Sequence, residues 1–285
     1  MIIVTGATGA LNGATVEDLL KRVPADRIGV SVRDVAKARH FAERGVRVRR
    51  GSYEDPAALL DSFEAADQVL LVSSNDPQAE QVDLHRVGIE TAVRAGATRI
   101  LYTSHQHAEI GSPFLPARVH AATEALLANS GVAWTSLRNG FYAHSLDWLL
   151  GPWRETGVIA TPADGPVSWT ERADAAEAAA AILAGERSFD GPVTLTASAA
   201  PTFGEIAGIA SELTGRDIRR VVLDDEQWVA EQAARGTPEH TARFLLGFYQ
   251  AAREGGFAGV GPLLGEILGR EPRTVRDLLA ERAAA

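Results

Sequence analysis

The chain begins Met-Ile-Ile-Val-Thr-Gly-Ala-Thr-Gly-Ala-Leu-Asn-Gly, and no other stretch constrains its fold so tightly. An apolar run, Ile2 to Val4, enters a glycine-rich turn at Thr5–Gly9. Apolar residues then recur at Val16, Leu19 and Leu20 with helical spacing. A strand, a tight turn and a helix in that order open a parallel α/β sheet. Gly6 and Gly9 carry no Cβ, so the backbone can turn sharply and approach a phosphate closely. The turn and the helix behind it present N–H groups to an anion, which assigns Gly6, Ala7, Thr8, Gly9, Ala10 and Leu11 to a dinucleotide pyrophosphate. At the same spacing a third glycine is due at 12, where it would let the helix pack closely on the strand. Asn12 stands there instead and Gly13 follows. Asn12 either shifts the helix or offers its amide to the pyrophosphate.

Strand-like runs recur at 2–5, Ile28–Val32, Val46–Arg49, Val69–Ser73, Ile100–Thr103 and Trp134–Leu137. Helical patterns lie between them at 13–22, 35–44, 56–63, 79–95 and 118–129. Strands alternating with helices imply a parallel sheet with right-handed crossovers. A continuous apolar strand such as Val69–Val72 suits a sheet covered on both faces. After residue ~140 helices outnumber strands. Leu146, Leu149 and Leu150 mark an apolar helix face, Val158–Ala160 and Val193–Leu195 are short strands, and 172–184, 203–214, 225–235 and 238–254 are helical. The expected fold class is therefore α/β: a Rossmann-type doubly wound parallel sheet with a smaller, mostly helical C-terminal lobe. Residues 1–150 would form the dinucleotide-binding domain and 151–285 the lobe, with about 168–190 returning to the sheet. Trp228, Phe244, Phe248 and Tyr249 form the lobe's core or, alternatively, line a flat apolar pocket.

Composition removes several classes of function. The chain's 285 residues, 46% of them hydrophobic, suffice for a large core. No apolar run nears the ~20 residues of a membrane span, and the strand-like start lacks the basic flank of a signal peptide. Cysteine is absent, which removes disulfides, thiolate nucleophiles and zinc–cysteine sites. A net charge of −9 without a basic block argues against nucleic acid. A cytoplasmic protein, monomer or homodimer, acting on a small molecule with no metal and no membrane partner is the expectation.

Chemistry is sought at the carboxyl ends of the strands, where such sheets bind ligands. The second strand ends at Arg33-Asp34, with Lys37 a turn later. Arg33 suits a ribose 2′-phosphate, so NADPH is preferred over NADH; the bland alternative is an exposed Arg33–Asp34 pair. Asp55 before Pro56 reads as a helix N-cap. Ser73, Ser74 and Asn75 end the fourth strand, where they pass the cofactor or else cap the next helix. The fifth ends in Tyr102-Thr-Ser-His-Gln-His107. His105 suits donation of a proton or a hydrogen bond to a quinone oxygen, against the plain alternative of a polar loop histidine. No tyrosine has a lysine four residues on, since the only lysines are Lys21 and Lys37. A tyrosine without that ammonium is a sluggish acid at neutral pH, which points to acceptors needing little proton donation. His120 and Glu124 stand at i, i+4, the spacing of a surface helix contact. Arg138-Asn139-Gly140 follows the sixth strand, and its glycine allows close backbone approach.

Thr5-Gly-Ala-Thr-Gly9, Val32-Arg33, Tyr102-Thr-Ser104, His120-Ala-Ala-Thr-Glu124, Leu137-Arg-Asn-Gly-Phe-Tyr142 and Thr170-Glu-Arg-Ala-Asp174 occur in one order along the chain. Together they resemble the NmrA-like atypical short-chain reductases, and within them the NAD(P)H:quinone oxidoreductases and triphenylmethane dye reductases. The resemblance covers essentially the whole chain. It implies that Asn139, Gly140 and Phe141 pass by the cofactor and that Tyr142 lies near the nicotinamide, making Tyr142 and His105 the candidate catalytic residues. Asn12, Asp34 and His105 depart from the family's usual residues. The implied activity is hydride transfer from NADPH to a flat conjugated acceptor such as a quinone. The alternative is a dinucleotide-sensing regulator without turnover, a role also found in this family.

Overall fold

A computed structural model describes residues 1–74 and 79–284. In chain order the elements begin β1 (Ile2–Thr5), α1 (Ala10–Leu19), β2 (Ile28–Val32), α2 (Arg39–Ala42), β3 (Arg47–Arg50), α3 (Pro56–Ser62) and β4 (Gln68–Leu71). Then come α4 (Gln81–Arg94), β5 (Arg99–His105), α5 (Leu115–Ala128), β6 (Ala133–Asn139), α6 (Leu146–Leu149), α7 (Trp153–Thr156) and β7 (Val158–Thr161). The chain ends with α8 (Arg172–Leu183), β8 (Gly191–Leu195), α9 (Phe203–Thr214), β9 (Arg219–Val222), α10 (Asp225–Ala234), α11 (Glu239–Arg253), α12 (Leu263–Leu268) and α13 (Val275–Ala284).

These elements fall into two compact units. The first comprises Met1–His105, Val119–Arg138 and Ala173–Thr194; the second comprises Gln106–Arg118, Asn139–Arg172 and Leu195–Ala285. The division is not a single cut near 150, because the chain leaves the sheet after β5 and again after β6, and returns each time.

The first unit is built on a seven-stranded sheet of order β3-β2-β1-β4-β5-β6-β8. β1 pairs in parallel with β2, Ile2 against Ile28, and with β4, Ile2 against Gln68; β2–β3 and β4–β5 are also parallel. The order reverses between β1 and β4, so the loops after these strands diverge and leave a crevice at their carboxyl ends. All residues of β1 and β2 are buried, as a sheet covered on both faces requires. The edge strand β3 is Arg-Val-Arg-Arg and more open, and its charge discourages further strand pairing. Ile3, Val69, Leu71, Ile100, Tyr102 and Phe63 pack into one core. In α8 nine residues are buried, six of them alanine, which lets that helix sit close to its neighbours. Asp55 Oδ1 caps α3 by accepting from the Ala58 N–H at 3.1 Å, with Pro56 at the first helical position. The helix expected over 35–44 is instead a 3-10 turn at Val35–Ala38 followed by the four residues of α2.

The second unit is mostly helical, with one small parallel pair, β7–β9, that sets Val158 against Arg219. Phe141, Trp169, Phe203, Trp228, Phe248, Tyr249 and Phe257 form its core. Trp228, Phe248 and Tyr249 are thus core residues, and Tyr249 Oη donates to the Leu149 carbonyl at 3.0 Å; Phe244 is exposed. Among the described residues no helix is long and apolar enough to cross a membrane, and no cluster of acids and histidines could hold a metal.

Candidate active site

The turn after β1 takes the shape its glycines allow. Gly6 has φ of +63°, and a Cβ there would lie 2.7 Å from Val72 Cγ1. The Gly6 N–H donates to the Ser31 carbonyl at 3.1 Å, and the Gly9 N–H donates back to the Gly6 carbonyl at 2.9 Å. Ala7 is buried beneath the turn, Thr8, Gly9 and Ala10 are exposed, and Leu11 is partly buried. Helix α1 starts here with no side-chain cap and no acid in its first turn. Its leading N–H groups lack intrahelical acceptors, and nothing negative competes with an anion for them.

Asn12 neither shifts α1 outward nor faces a phosphate. It is 1% exposed, and its Nδ2 donates to the Thr5 carbonyl at 2.8 Å, tying the helix to the end of β1. The close approach expected of a third glycine occurs one residue later, where a Cβ on Gly13 would lie 2.9 Å from the Ala7 carbonyl oxygen.

At the end of β2 the charged pair separates by role. Asp34 Oδ1 accepts from the Ala36 N–H at 3.0 Å and caps the 3-10 turn. Arg33 is exposed and has no partner among the described residues; in particular, no ion pair joins it to Asp34. An unengaged guanidinium next to the glycine turn can take a phosphate in bidentate fashion.

Beyond β4 the backbone is fixed by buried hydroxyls and a histidine. Thr5 Oγ1 accepts from the Val72 N–H at 2.8 Å, and Tyr53 Oη donates to the Val72 carbonyl at 2.8 Å. The Ser73 N–H donates to Thr103 Oγ1 at 2.9 Å and the Ser74 N–H to His85 Nε2 at 2.7 Å. These strand-end serines are therefore set in place by their backbones. Asn75 lies outside the described residues.

His105 is the last residue of β5 and partly buried, and its ring stacks at 21° on His120, centroids 6.2 Å apart. His120 is 9% exposed and accepts from Tyr102 Oη through Nδ1 at 2.8 Å. Burial pushes the His120 imidazolium down, the nearby His105 and His85 adding to the effect. His85 is lowered to about 4, also by burial. Both imidazoles are neutral at ordinary pH.

The expected surface contact between His120 and Glu124 is absent from these side chains' partners. Glu124 is 6% exposed and faces β5 and β6. Its Oε1 accepts from Ser104 Oγ at 2.8 Å, Ser136 Oγ at 2.7 Å and Arg138 Nε at 3.0 Å, and its Oε2 from Arg138 Nη2 at 2.5 Å. His85 and the Tyr102–His120 pair went unread in the sequence, although a signal exists. Tyr102 and Ser104 share one face of a strand, and His120 and Glu124 share one face of a helix, at nearly matching rises.

In the second unit, Phe141 packs against Phe248 with centroids 4.3 Å apart, and its ring is core. Gly140 is required by close packing, since a Cβ there would lie 2.2 Å from Thr170 Oγ1 and 2.7 Å from the Ser168 carbonyl oxygen. Asn139 Nδ2 donates to Tyr142 Oη at 3.1 Å, while Asn139 Oδ1 is buried without a partner. Such an orphan acceptor suits a neutral amide donor. Burial raises the Tyr142 phenol, opposed by the Asn139 hydrogen bond and by Arg172. Tyr142 thus holds its proton tightly.

A reversing parallel sheet, a glycine turn free of competing acids and an open arginine on the next strand define a dinucleotide-binding Rossmann protein. The NmrA-like family model matches residues 1–260, and the chain belongs to that family. Quinone oxidoreductase 2 of Escherichia coli (strain K12) is 34% identical over 279 residues, covering 97% of this chain and 96% of that protein. The crystal structure of the NADPH-dependent quinone oxidoreductase QOR2 from Escherichia coli, complexed with NADPH, superposes with a TM-score of 0.89 at 33% identity, covering 100% and 99% of the two chains. Triphenylmethane reductase of Citrobacter sp., complexed with NADP(H), superposes with a TM-score of 0.90 at 31% identity over 99% and 100% of the chains.

Proposed function

We propose that this protein is an NADPH-dependent oxidoreductase that passes a hydride to a flat conjugated acceptor such as a quinone. The observation that carries the cofactor assignment is Arg33, a guanidinium without a partner at the carboxyl end of β2, beside a helix N-terminus that no acid occupies. The relatives that act on quinones and dyes with NADPH support the acceptor class.

In this reading Ala10 and Leu11 turn their N–H groups toward the pyrophosphate, Gly6 and Gly9 give it room, and Arg33 binds the 2′-phosphate. The bound dinucleotide supplies the hydride, and the protein supplies orientation and exclusion of water. Tyr142 is not an efficient acid, because burial raises its phenol and no lysine follows it. That favours acceptors whose reduction does not wait on a strong acid. His105, at the end of β5, is one candidate to hydrogen-bond the acceptor.

Steady NADPH oxidation with a panel of quinones, cationic triphenylmethane dyes and simple ketones tests the proposal. Turnover on quinones and dyes above ketones is the expected result. Tight NADPH binding with no turnover on any acceptor would instead establish the sensing role.

A further inference from the structure

One set of groups in the first unit is left unused by the reading above. The Ser74 N–H and the side chains of His85, Thr123, Tyr102 and His120 form a connected chain of hydrogen bonds.

A backbone N–H can only donate. The Ser74 N–H lies 2.7 Å from His85 Nε2, so that nitrogen carries no proton. Neutral His85 must then carry its proton on Nδ1. His85 Nδ1 lies 2.8 Å from Thr123 Oγ1, and Thr123 Oγ1 in turn donates to the Val119 carbonyl at 2.9 Å. Tyr102 Oη lies 3.4 Å from His85 Nδ1 and 2.8 Å from His120 Nδ1. It cannot donate to a protonated Nδ1 of His85, and Thr123 Oγ1, its other neighbour, already receives the His85 Nδ1–H, so we assign its hydrogen to His120 Nδ1. His120 is therefore an acceptor at Nδ1 and, being neutral, a donor at Nε2. That Nε2 has no hydrogen-bond partner among the described residues, and it is not one of the fully buried polar atoms left without one. It keeps an accessible edge, beside the ring of His105 at the carboxyl end of β5.

We propose that His120 is the group that polarises the acceptor oxygen, a neutral imidazole whose Nε2–H is preset by the chain Ser74–His85–Tyr102. The inference rests on the oxidoreductase reading and names the acceptor chemistry: a carbonyl or quinone oxygen that becomes negative as hydride arrives. Hydride transfer converts a quinone to the hydroquinone monoanion and oxidises the nicotinamide. His120 donates a hydrogen bond to the developing oxyanion and keeps its proton; solvent supplies the proton that completes the hydroquinone. A neutral N–H aimed at developing charge is useful because it needs no rearrangement during the reaction. Tyr102 and His85 are positioning residues: they hold the tautomer and do not touch the acceptor.

Two acceptors separate this role from a structural one. A benzoquinone develops an oxyanion, whereas a cationic triphenylmethane dye takes up hydride and becomes neutral. His120→Asn is expected to lower kcat for the quinone on the order of 100-fold, and the dye far less. Tyr102→Phe should shift the quinone-to-dye ratio in the same direction by a smaller factor. An equal loss on both acceptors, or no loss on the quinone, overturns the proposal. Nitrogen-15 spectra of the histidines provide a second readout that needs no turnover. His120 should be protonated on Nε2 in the wild type and shift toward Nδ1 in Tyr102→Phe. A wild-type Nδ1–H tautomer overturns the chain whatever the kinetics show. Absence of turnover on either acceptor, with the Nε2–H tautomer present, overturns the oxidoreductase reading and leaves the hydrogen-bond chain intact.

Discussion

Arg33 and Asp34 are neighbours in sequence with opposite charge, yet local geometry gives them separate tasks. Asp34 is committed to the Ala36 N–H, which leaves Arg33 without a partner. Arg33→Ala should therefore cost little stability and much NADPH affinity. A charge-assisted contact to phosphate is worth about 1.5–3 kcal/mol, or roughly 10- to 100-fold in Kd. Titration calorimetry should show that loss for NADPH and almost none for NADH; equal losses would remove Arg33 from the 2′-phosphate. Gly6 is constrained on two counts, a φ of +63° and the 2.7 Å approach a Cβ would make to Val72 Cγ1. Left-handed backbone costs a non-glycine residue about 1–2 kcal/mol, and overpacking adds about 1–3 kcal/mol. Gly6→Ala should lose about 2–5 kcal/mol in urea unfolding from these two causes. Asn12 shows the limit of motif spacing. Its position suggested a flaw in the phosphate turn, whereas its amide fastens α1 to β1 and Gly13 provides the close contact.

Between elements, α5 is locked to the sheet by two polar pairs in step, Tyr102 with His120 and Ser104 with Glu124. Arg138 from β6 completes the second pair, and Glu124 is almost fully buried. Removing one member of a buried pair leaves a desolvated charge, typically at a cost of about 3–5 kcal/mol. Arg138 is partly open to solvent and the two serines remain, so Arg138→Met should cost about 2–3 kcal/mol, somewhat below that range. The double variant Glu124→Leu with Arg138→Met should recover part of the loss; simple additivity in urea unfolding would mean the pair is not coupled. The sequence made the sheet legible because its central strands are continuous apolar runs, Ile28–Val32 among them. It hid β9, whose Arg219-Arg-Val-Val222 is mostly exposed and gains strand structure from pairing with β7. It hid the role of His120 and Glu124 as well. A one-dimensional i, i+4 reading treats two polar residues on a helix as each other's partners, whereas here each bonds across to the sheet.

For the molecule as a whole, the buried histidines make stability depend on pH. His85 is held to about 4 by burial and His120 is lowered in the same direction. In the unfolded chain each has the ordinary histidine value of about 6.5. Below that value the unfolded state binds protons that the folded state refuses, so stability falls as pH drops. The contribution is fully present above the unfolded value and is lost progressively from about 6.5 down to about 4 for His85. By pH 5 the linkage for His85 alone amounts to about 2 kcal/mol, with His120 adding to it. Most carboxylates are still ionised at pH 5, so the interval between pH 7.5 and 5 isolates the histidines. Urea unfolding over that interval should show stability decreasing toward acid, and His85→Gln should flatten the slope even if it lowers stability at pH 7.5. A wild-type slope that rises toward acid, or one unchanged by His85→Gln, would show that His85 is not held neutral. The same measurement bears on function, because a protonated His85 could not accept from the Ser74 N–H. Its Nδ1 would still carry a proton, so the hydrogen of Tyr102 would still point to His120. Protonation of His85 should therefore lower folding stability while the His120 Nε2–H stays in place, which nitrogen-15 spectra over the same interval would show.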